Sequence, residues 1–434
     1  MKTNRIMDEI RSSISPEMKL QMELSVAIAN RILDDYRKNV HAVDVAGSVF
    51  FLKGVIPVIA VILLCILFGC SRQKSGGAGD ADGDTVPLRY AKNLLMIRHA
   101  DYVEVKLRNP WRQGEVLHSY CLIGHEDSAK AKSIIEKVND RSTTVVYVPL
   151  RKAVSFNTAH ASLMQMLGAT DQLKGVADLK YMLLPEIRKR VSDGVVVDCG
   201  DSMSPDIEKI VEAGADAILL SPFENSGGYG SLEKIGIPII ECAEYMETSA
   251  LGRAEWMRFY GMLLGKEHEA ETLFAKVDSS YQAQRAFAAK AGKGLSLLTE
   301  RLTGNTWYIA GGQSSVGRLI ADANGGYAWS ADSHSGSLAL SFETVLDKSG
   351  DADVWIFNYN GSKPLRRQML LDEYHGYGRL KAYQTRQIWY VNTLLVPYFE
   401  EVSFRPDFLL RDYIILLHPG LLDDVPRYYK RLVE

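Results

Sequence analysis

The chain has 434 residues, 47% of them hydrophobic and 24% charged, which describes a folded globular protein too long for one ordinary core, so two lobes with additions are expected. Its formal net charge of −3 gives none of the basic excess that nucleic-acid binding requires, and that class is set aside. The five cysteines, Cys65, Cys70, Cys121, Cys199 and Cys242, include no C-x-x-C pair and no zinc-like spacing.

Residues 1–46 read as an N-terminal extension with helical character. Residues 47–70 form a signal-like segment: the run 54–69 carries no charge, and its length suits a signal h-region better than a mature membrane span. A permanent anchor helix is the alternative. The run ends Leu67-Phe68-Gly69-Cys70, which resembles the lipobox of bacterial lipoproteins, with Phe68 where a small or β-branched residue is usual. That resemblance implies cleavage before Cys70 and lipidation of its thiol. A signal so far into a chain implies that residues 1–46 are either an unusual cytosolic extension or the product of an upstream start codon wrongly assigned, and the second is preferred. Residues 71–86, rich in glycine and aspartate, are a flexible tether.

Residues 87–143 are a β-rich preamble, with alternating segments at 94–97 and 102–105 forming a hairpin and with Trp111 and Tyr120 packing it onto the first lobe. Residues 144–247, that lobe, alternate strands (145–148, 153–156, 175–177, 195–198, 217–221, 237–241) with helical runs. Asn157 or Thr158 caps a helix over 160–167, and Ser204-Pro205 opens another as cap and first position. Cys199 and Cys242 each close a strand, which leaves a disulfide between them open. Residues 248–290 are a helical strut: Trp256, Phe259, Tyr260 and Leu263 share one face, as do Ala270, Phe274, Val277 and Tyr281, with a break near Gly265. Residues 291–434 restart the pattern, with strands at 296–298, 307–310, 354–357 and 388–391 and helices at 315–323, 341–347 and 407–417. This is α/β alternation in two lobes with largely parallel sheets.

Several segments, in order, resemble the substrate-binding proteins of bacterial ABC importers for iron–siderophores, haem and vitamin B12. They are Ala153-Val154-Ser155-Phe156 with Leu167-Gly168-Ala169, Met203-Ser204-Pro205-Asp206, Gly236-Ile237-Pro238, Gly252-Arg253-Ala254-Glu255-Trp256, Ser341-Phe342-Glu343, and Arg405-Pro406-Asp407-Phe408 with His418-Pro419. The resemblance covers residues 144–434. It implies two Rossmann-like lobes joined by a long helix, a monomer lipid-anchored outside a bacterial membrane (periplasm), and partners in an ABC permease and its ATPase. No enzymatic activity and no resident cofactor are implied. The ligand is an iron chelate, haem or cobalamin. In that family one surface glutamate on each lobe meets permease arginines, and here Glu224 and Glu343 occupy those places.

Ligands of such sheets bind beyond the carboxyl ends of strands. The candidate ligand-binding residues are therefore Ser155, Phe156, Asn157, Thr158, Tyr181 and Phe223 from the first lobe. The second lobe offers Trp307, Tyr308, Tyr327, Trp329, Tyr359, Tyr398 and Phe399, aromatic rings suited to a large, flat or greasy ligand. Arg188, Arg366 and Arg367 are candidates for its anionic groups. Three other readings compete. His160 and His334 suggest a bare metal ion, but no third histidine has suitable spacing. The Gly311-Gly312-Gln313-Ser314-Ser315 turn can cradle a phosphate, but no catalytic triad or nucleotide fingerprint accompanies it. A structural lipoprotein without ligand is the last.

Overall fold

The computed structural model describes residues 83–138, 142–224 and 229–433; Cys70, the signal segment and residues 1–46 lie outside them. The first sheet joins β1 (Asp84–Thr85), β2 (Leu94–Arg98), β3 (Tyr102–Arg108), β4 (Val116–Gly124) and, after helix α1 (Ala131–Val138), β5 (Thr144–Val148). The hairpin expected at 94–105 is β2–β3, paired antiparallel. Strand β5, read from sequence as the start of the first lobe, instead pairs in parallel with β4. Tyr120 stitches this sheet to the lobe behind it: its phenol is fully buried, donates to Ile239 O at 3.2 Å and accepts Glu241 N–H at 2.8 Å.

The first lobe runs through β6 (Ala153–Ser155), α2 (Thr158–Met166), β7 (Leu173–Val176), α3 (Pro185–Ser192) and β8 (Val197–Asp198). It continues with β9 (Gly200–Asp201), β10 (Ser204–Pro205), α4 (Ile207–Glu212), β11 (Ala217–Leu220) and β12 (Ile239–Glu241). The sheet order is β12-β11-β6-β7-β8, every pair parallel. Helices cover both faces, so the strands are apolar on both sides: every residue of β6 and of β11 is buried. Ser204-Pro205 does not open a helix. Those residues pair antiparallel with β9, because Asp201 Oδ1 accepts Met203 N–H at 3.0 Å and turns the chain back; Asp206 then caps α4. Cys199 and Cys242 are buried free thiols in separate hydrophobic clusters, so no disulfide joins them.

The strut is three helices, α5 (Ala250–Glu255), α6 (Met257–Leu264) and α7 (Glu267–Lys290). Gly265 closes α6 at φ 63°, the left-handed C-cap that ends helices, which is the break expected there. Trp256, Phe259 and Tyr260 are fully buried, and burying each stabilises by roughly 1.5–3 kcal/mol. An isolated helix of eight residues is marginal in water, so packing rather than propensity holds α6. Helix α7 buries Ala270, Phe274, Val277 and Tyr281, and Tyr281 Oη donates to Asp322 Oδ2 of the second lobe at 2.7 Å.

The second lobe contains β13 (Leu297–Thr299), β14 (Leu302–Thr303), β15 (Thr306–Ala310), α8 (Ser315–Asp322), β16 (Ser337–Leu340), α9 (Phe342–Ser349), β17 (Val354–Tyr359), β18 (Ile388–Asn392), α10 (Tyr398–Glu401), α11 (Pro406–Leu417) and β19 (Lys430–Arg431). It does not copy the first. Strands β13-β17-β18 are parallel with β19 antiparallel at the edge, while β14-β15-β16 form a separate antiparallel sheet. The α7 helix packs on α6 and on α11, and the lobes meet again where α10 lies against α2. There the buried Glu400 carboxylate accepts Leu183 N–H at 3.0 Å.

Candidate functional site

A cavity of about 740 Å³ lies between the lobes. In the first lobe the chain advances from β6 to β7 and β8, then returns to place β11 on the other side of β6. The crevice at such a reversal, beyond the strand ends, is where open α/β sheets bind ligands. Phe156 and Asn157 follow β6, and Leu220, Ser221 and Phe223 end or follow β11; all five line the cavity. Asn157 holds the crevice open at its base. Its Oδ1 caps α2 by accepting Ala159 N–H at 2.9 Å, and its Nδ2 donates to Ser221 Oγ at 3.0 Å. In the second lobe Glu300 follows β13, Asn358 and Asn360 flank the end of β17, and Thr393 and Leu394 follow β18.

Of the residues singled out from sequence, Phe156, Asn157, Thr158, Tyr181, Phe223, Tyr398 and Phe399 are among those lining this space. Tyr181 and Phe223 are exposed, at 52% and 48%, and face it from opposite sides of the first lobe's strand ends. Ser155 lies beneath the floor, 1% exposed, with its hydroxyl donating to Asn157 O at 2.9 Å.

Five second-lobe aromatics sit elsewhere. Trp307 is fully buried among Trp355, Phe342 and Tyr377. Its strand belongs to the antiparallel sheet, so its end is not aimed at the cleft, and Tyr308 points outward by strand alternation. Tyr327 donates its hydroxyl to Ala310 O, and Trp329 packs on it with ring centroids 5.7 Å apart; both are buried off the cavity. Tyr359 turns away between Asn358 and Asn360, and its hydroxyl donates to Lys363 O at 2.8 Å. Arg188 is occupied by Leu179 O and Met182 O, at 3.0 and 3.1 Å.

The charged lining was not recognised in the sequence. Arg253, in α5, is its one cation among the described residues. Nη2 donates to Tyr245 O at 3.0 Å, and among the described residues the buried Nε has no partner and no carboxylate lies within ion-pairing distance. Burial lowers its pKa, an effect that nearby Glu244 only partly offsets. Glu244 itself is buried, with Oε1 3.0 Å from His160 Nε2.

Glu300 is the opposite case. Glu300 is exposed to solvent at the cavity wall; its carboxylate has no hydrogen bond or ion pair among the described residues, and partial desolvation there raises its pKa, countered in part by Arg301. Its backbone is left-handed, φ 64°, a conformation costing a non-glycine residue on the order of 1–3 kcal/mol. The structure enforces it. Glu300 N–H donates to Ile356 O at 2.8 Å, and the Trp355 indole donates to Glu300 O at 2.6 Å. The Trp307 indole grips the preceding carbonyl, Thr299 O, at 2.9 Å. The buried tryptophans thus act on the site indirectly, by fixing the end of β13. A strand read as ending at residue 298 hid this position.

Desolvation raises the Tyr398 phenol to about 12 and also raises the Glu400 carboxyl. No three His, Cys, Asp or Glu side chains stand together in metal-binding geometry among the described residues.

The periplasmic binding protein family matches residues 154–393, more than half of the chain. The chain belongs to that family. Its members bind solutes and are not enzymes. A lipoprotein of Methanocaldococcus jannaschii, itself uncharacterized, is 22% identical over 392 residues, spanning 84% of this chain and 92% of the relative. A petrobactin-binding protein of Bacillus subtilis is 28% identical over 170 residues, 38% of this chain and 51% of that one. The crystal structure of a periplasmic heme binding protein from Pseudomonas aeruginosa superposes with a TM-score of 0.51 at 16% identity, covering 66% of this chain and 99% of that one. Among the described residues no helix is long and apolar enough to cross a membrane.

Proposed function

We propose that this periplasmic binding protein captures an iron chelate, haem or cobalamin in the interlobe cavity and delivers it to the permease of an ABC importer, anchored by lipid on Cys70. The observation that carries this reading is the cavity itself: about 740 Å³, built from the carboxyl ends of both lobes' sheets. The first lobe contributes the rings of Phe156, Tyr181, Phe223 and Tyr245 beside Asn157 and Ser221, and the second contributes the rings of Tyr398 and Phe399 beside Asn358, Asn360 and Thr393. Rings interspersed with amides and hydroxyls suit a large chelate with an organic scaffold and a hydrogen-bonding periphery. The relatives that bind heme and petrobactin are consistent with it. Glu224 and Glu343 are both exposed, one on each lobe, as docking to permease arginines requires.

The test is a thermal-shift panel on the full chain in detergent, with ferric siderophores, haem and cobalamins. A true ligand at 100 times its dissociation constant stabilises by about 2.7 kcal/mol. A panel in which no chelate moves the melting temperature contradicts the reading.

A further inference from the structure

The cavity presents two charged groups that form no ion pair among the described residues. Among the described residues the Arg253 guanidinium faces it without an anion, and the Glu300 carboxylate faces it without a donor. Each of the other lining carboxylates has at least one partner: Asp178 accepts from Ser202, Glu244 Oε1 lies on His160 while its Oε2 is buried without a hydrogen bond among the described residues, and Glu400 accepts Leu183 N–H. The side-chain amides of Asn358 and Asn360 make no hydrogen bond among the described residues, so each keeps a donor and an acceptor for a ligand.

We propose that Glu300 is the specificity-determining residue of this cavity and that, with Arg253 facing the same space, it selects an uncharged, carboxamide-bearing chelate over a polyanionic one. The inference rests on the chelate-binding reading above and narrows it. Closing the cavity over a ligand strips water from both groups, and a buried charge left unpaired is costly. A ligand must therefore bring an acceptor to Arg253 and a donor to Glu300. A primary carboxamide carries both: its carbonyl accepts from a guanidinium, its NH₂ donates to a carboxylate, and either end pairs with an asparagine amide. A carboxylate or catecholate answers Arg253 alone and adds like charge beside Glu300, and such juxtaposition rejects partners. The position of Glu300 supports a ligand-directed role. A glutamate there has to hold the left-handed backbone that glycine or asparagine adopts more easily, and two hydrogen bonds to its backbone hold that conformation.

Calorimetry on the full chain in detergent decides the matter, with three probes: cyanocobalamin, which is amide-rimmed and carries no net charge; haem, with two propionates; and a ferric tris-catecholate. The wild type is expected to prefer cyanocobalamin to either anion by about tenfold or more. Glu300→Gln narrows that preference by about tenfold, chiefly by gaining affinity for the anions, and Arg253→Gln weakens cyanocobalamin binding by about the same factor. Glu300→Asn tolerates the left-handed backbone and controls for strain, so it should behave as Glu300→Gln does. A wild type that prefers an anionic chelate, or a preference unchanged in both Glu300 variants, overturns the inference and leaves the chelate reading standing. If none of the probes binds and none shifts the melting temperature, both fall.

Discussion

Glu255 Oε2 accepts the N–H of Tyr90 at 2.7 Å, joining the strut to the chain entering the first sheet across 165 residues of sequence. The same carboxylate takes the N–H groups of Arg89 and Ala91, each at 2.8 Å, and two turns earlier Glu247 takes those of Lys92 and Asn93. Five consecutive backbone donors thus end on two buried carboxylates. Replacing Glu255 by alanine strands the three donors it serves. We expect a loss of about 1–3 kcal/mol for each donor that water cannot reach, read by urea denaturation, with chelate affinity unchanged. A variant as stable as the wild type would show that the preamble is not held this way.

Cavity and core aromatics should separate. Phe223→Ala is expected to keep a near-normal melting temperature and to weaken binding at least about tenfold, because the exposed ring faces the ligand space. Trp307→Ala should do the reverse first, losing about 3–5 kcal/mol of stability. Melting curves beside titrations check both. Equal binding defects per unit of lost stability would mean that Phe223 is core.

The Asp353 carboxyl gives a pH signature. Burial raises its pKa, but hydrogen bonds from Lys381 Nζ at 2.6 Å and from Ser296 N and Oγ outweigh that and hold it down to about 2. A folded pKa below the unfolded one favours the folded state above the ordinary carboxylate range and loses that advantage as pH falls toward 2. Asp353→Asn should therefore lower the melting temperature at neutral pH and converge with the wild type between about pH 4 and 2. Parallel curves across that window would contradict the assignment.

Docking is tested by charge reversal. In cells carrying the cognate importer, the Glu224→Arg, Glu343→Arg double variant should lose uptake while the purified chain keeps its affinity and its stability to within about 0.5 kcal/mol. Normal uptake would remove both residues from the permease interface.

The strut and both lobes' parallel strands were legible from periodicity, because burial on one helical face or both strand faces writes itself into composition; of the caps, Asn157 was legible and the one expected at Ser204 falls on Asp206. Sheet membership was not. Nothing local in residues 144–148 distinguishes pairing with β4 from pairing within the first lobe, and Thr306–Ala310 reads the same in an antiparallel sheet as in a parallel one. The rule that ligands meet the ends of strands located Phe156, Asn157 and Phe223. It misplaced Trp307 and Tyr359 because it was applied to aromatic type rather than to alternation, which hands the cavity to Asn358 and Asn360. Arg253 and Glu300 stayed hidden because an unpaired charge is recognised only when its surroundings are known.

The most direct test of the interlobe site is anomalous diffraction from crystals of the protein with a bound iron or cobalt chelate. A single metal peak is expected inside the cavity, between Phe223 of the first lobe and Asn358 of the second. A peak on the outer face of the β1–β5 sheet, or anywhere beyond the residues that line the cavity, would contradict an interlobe site.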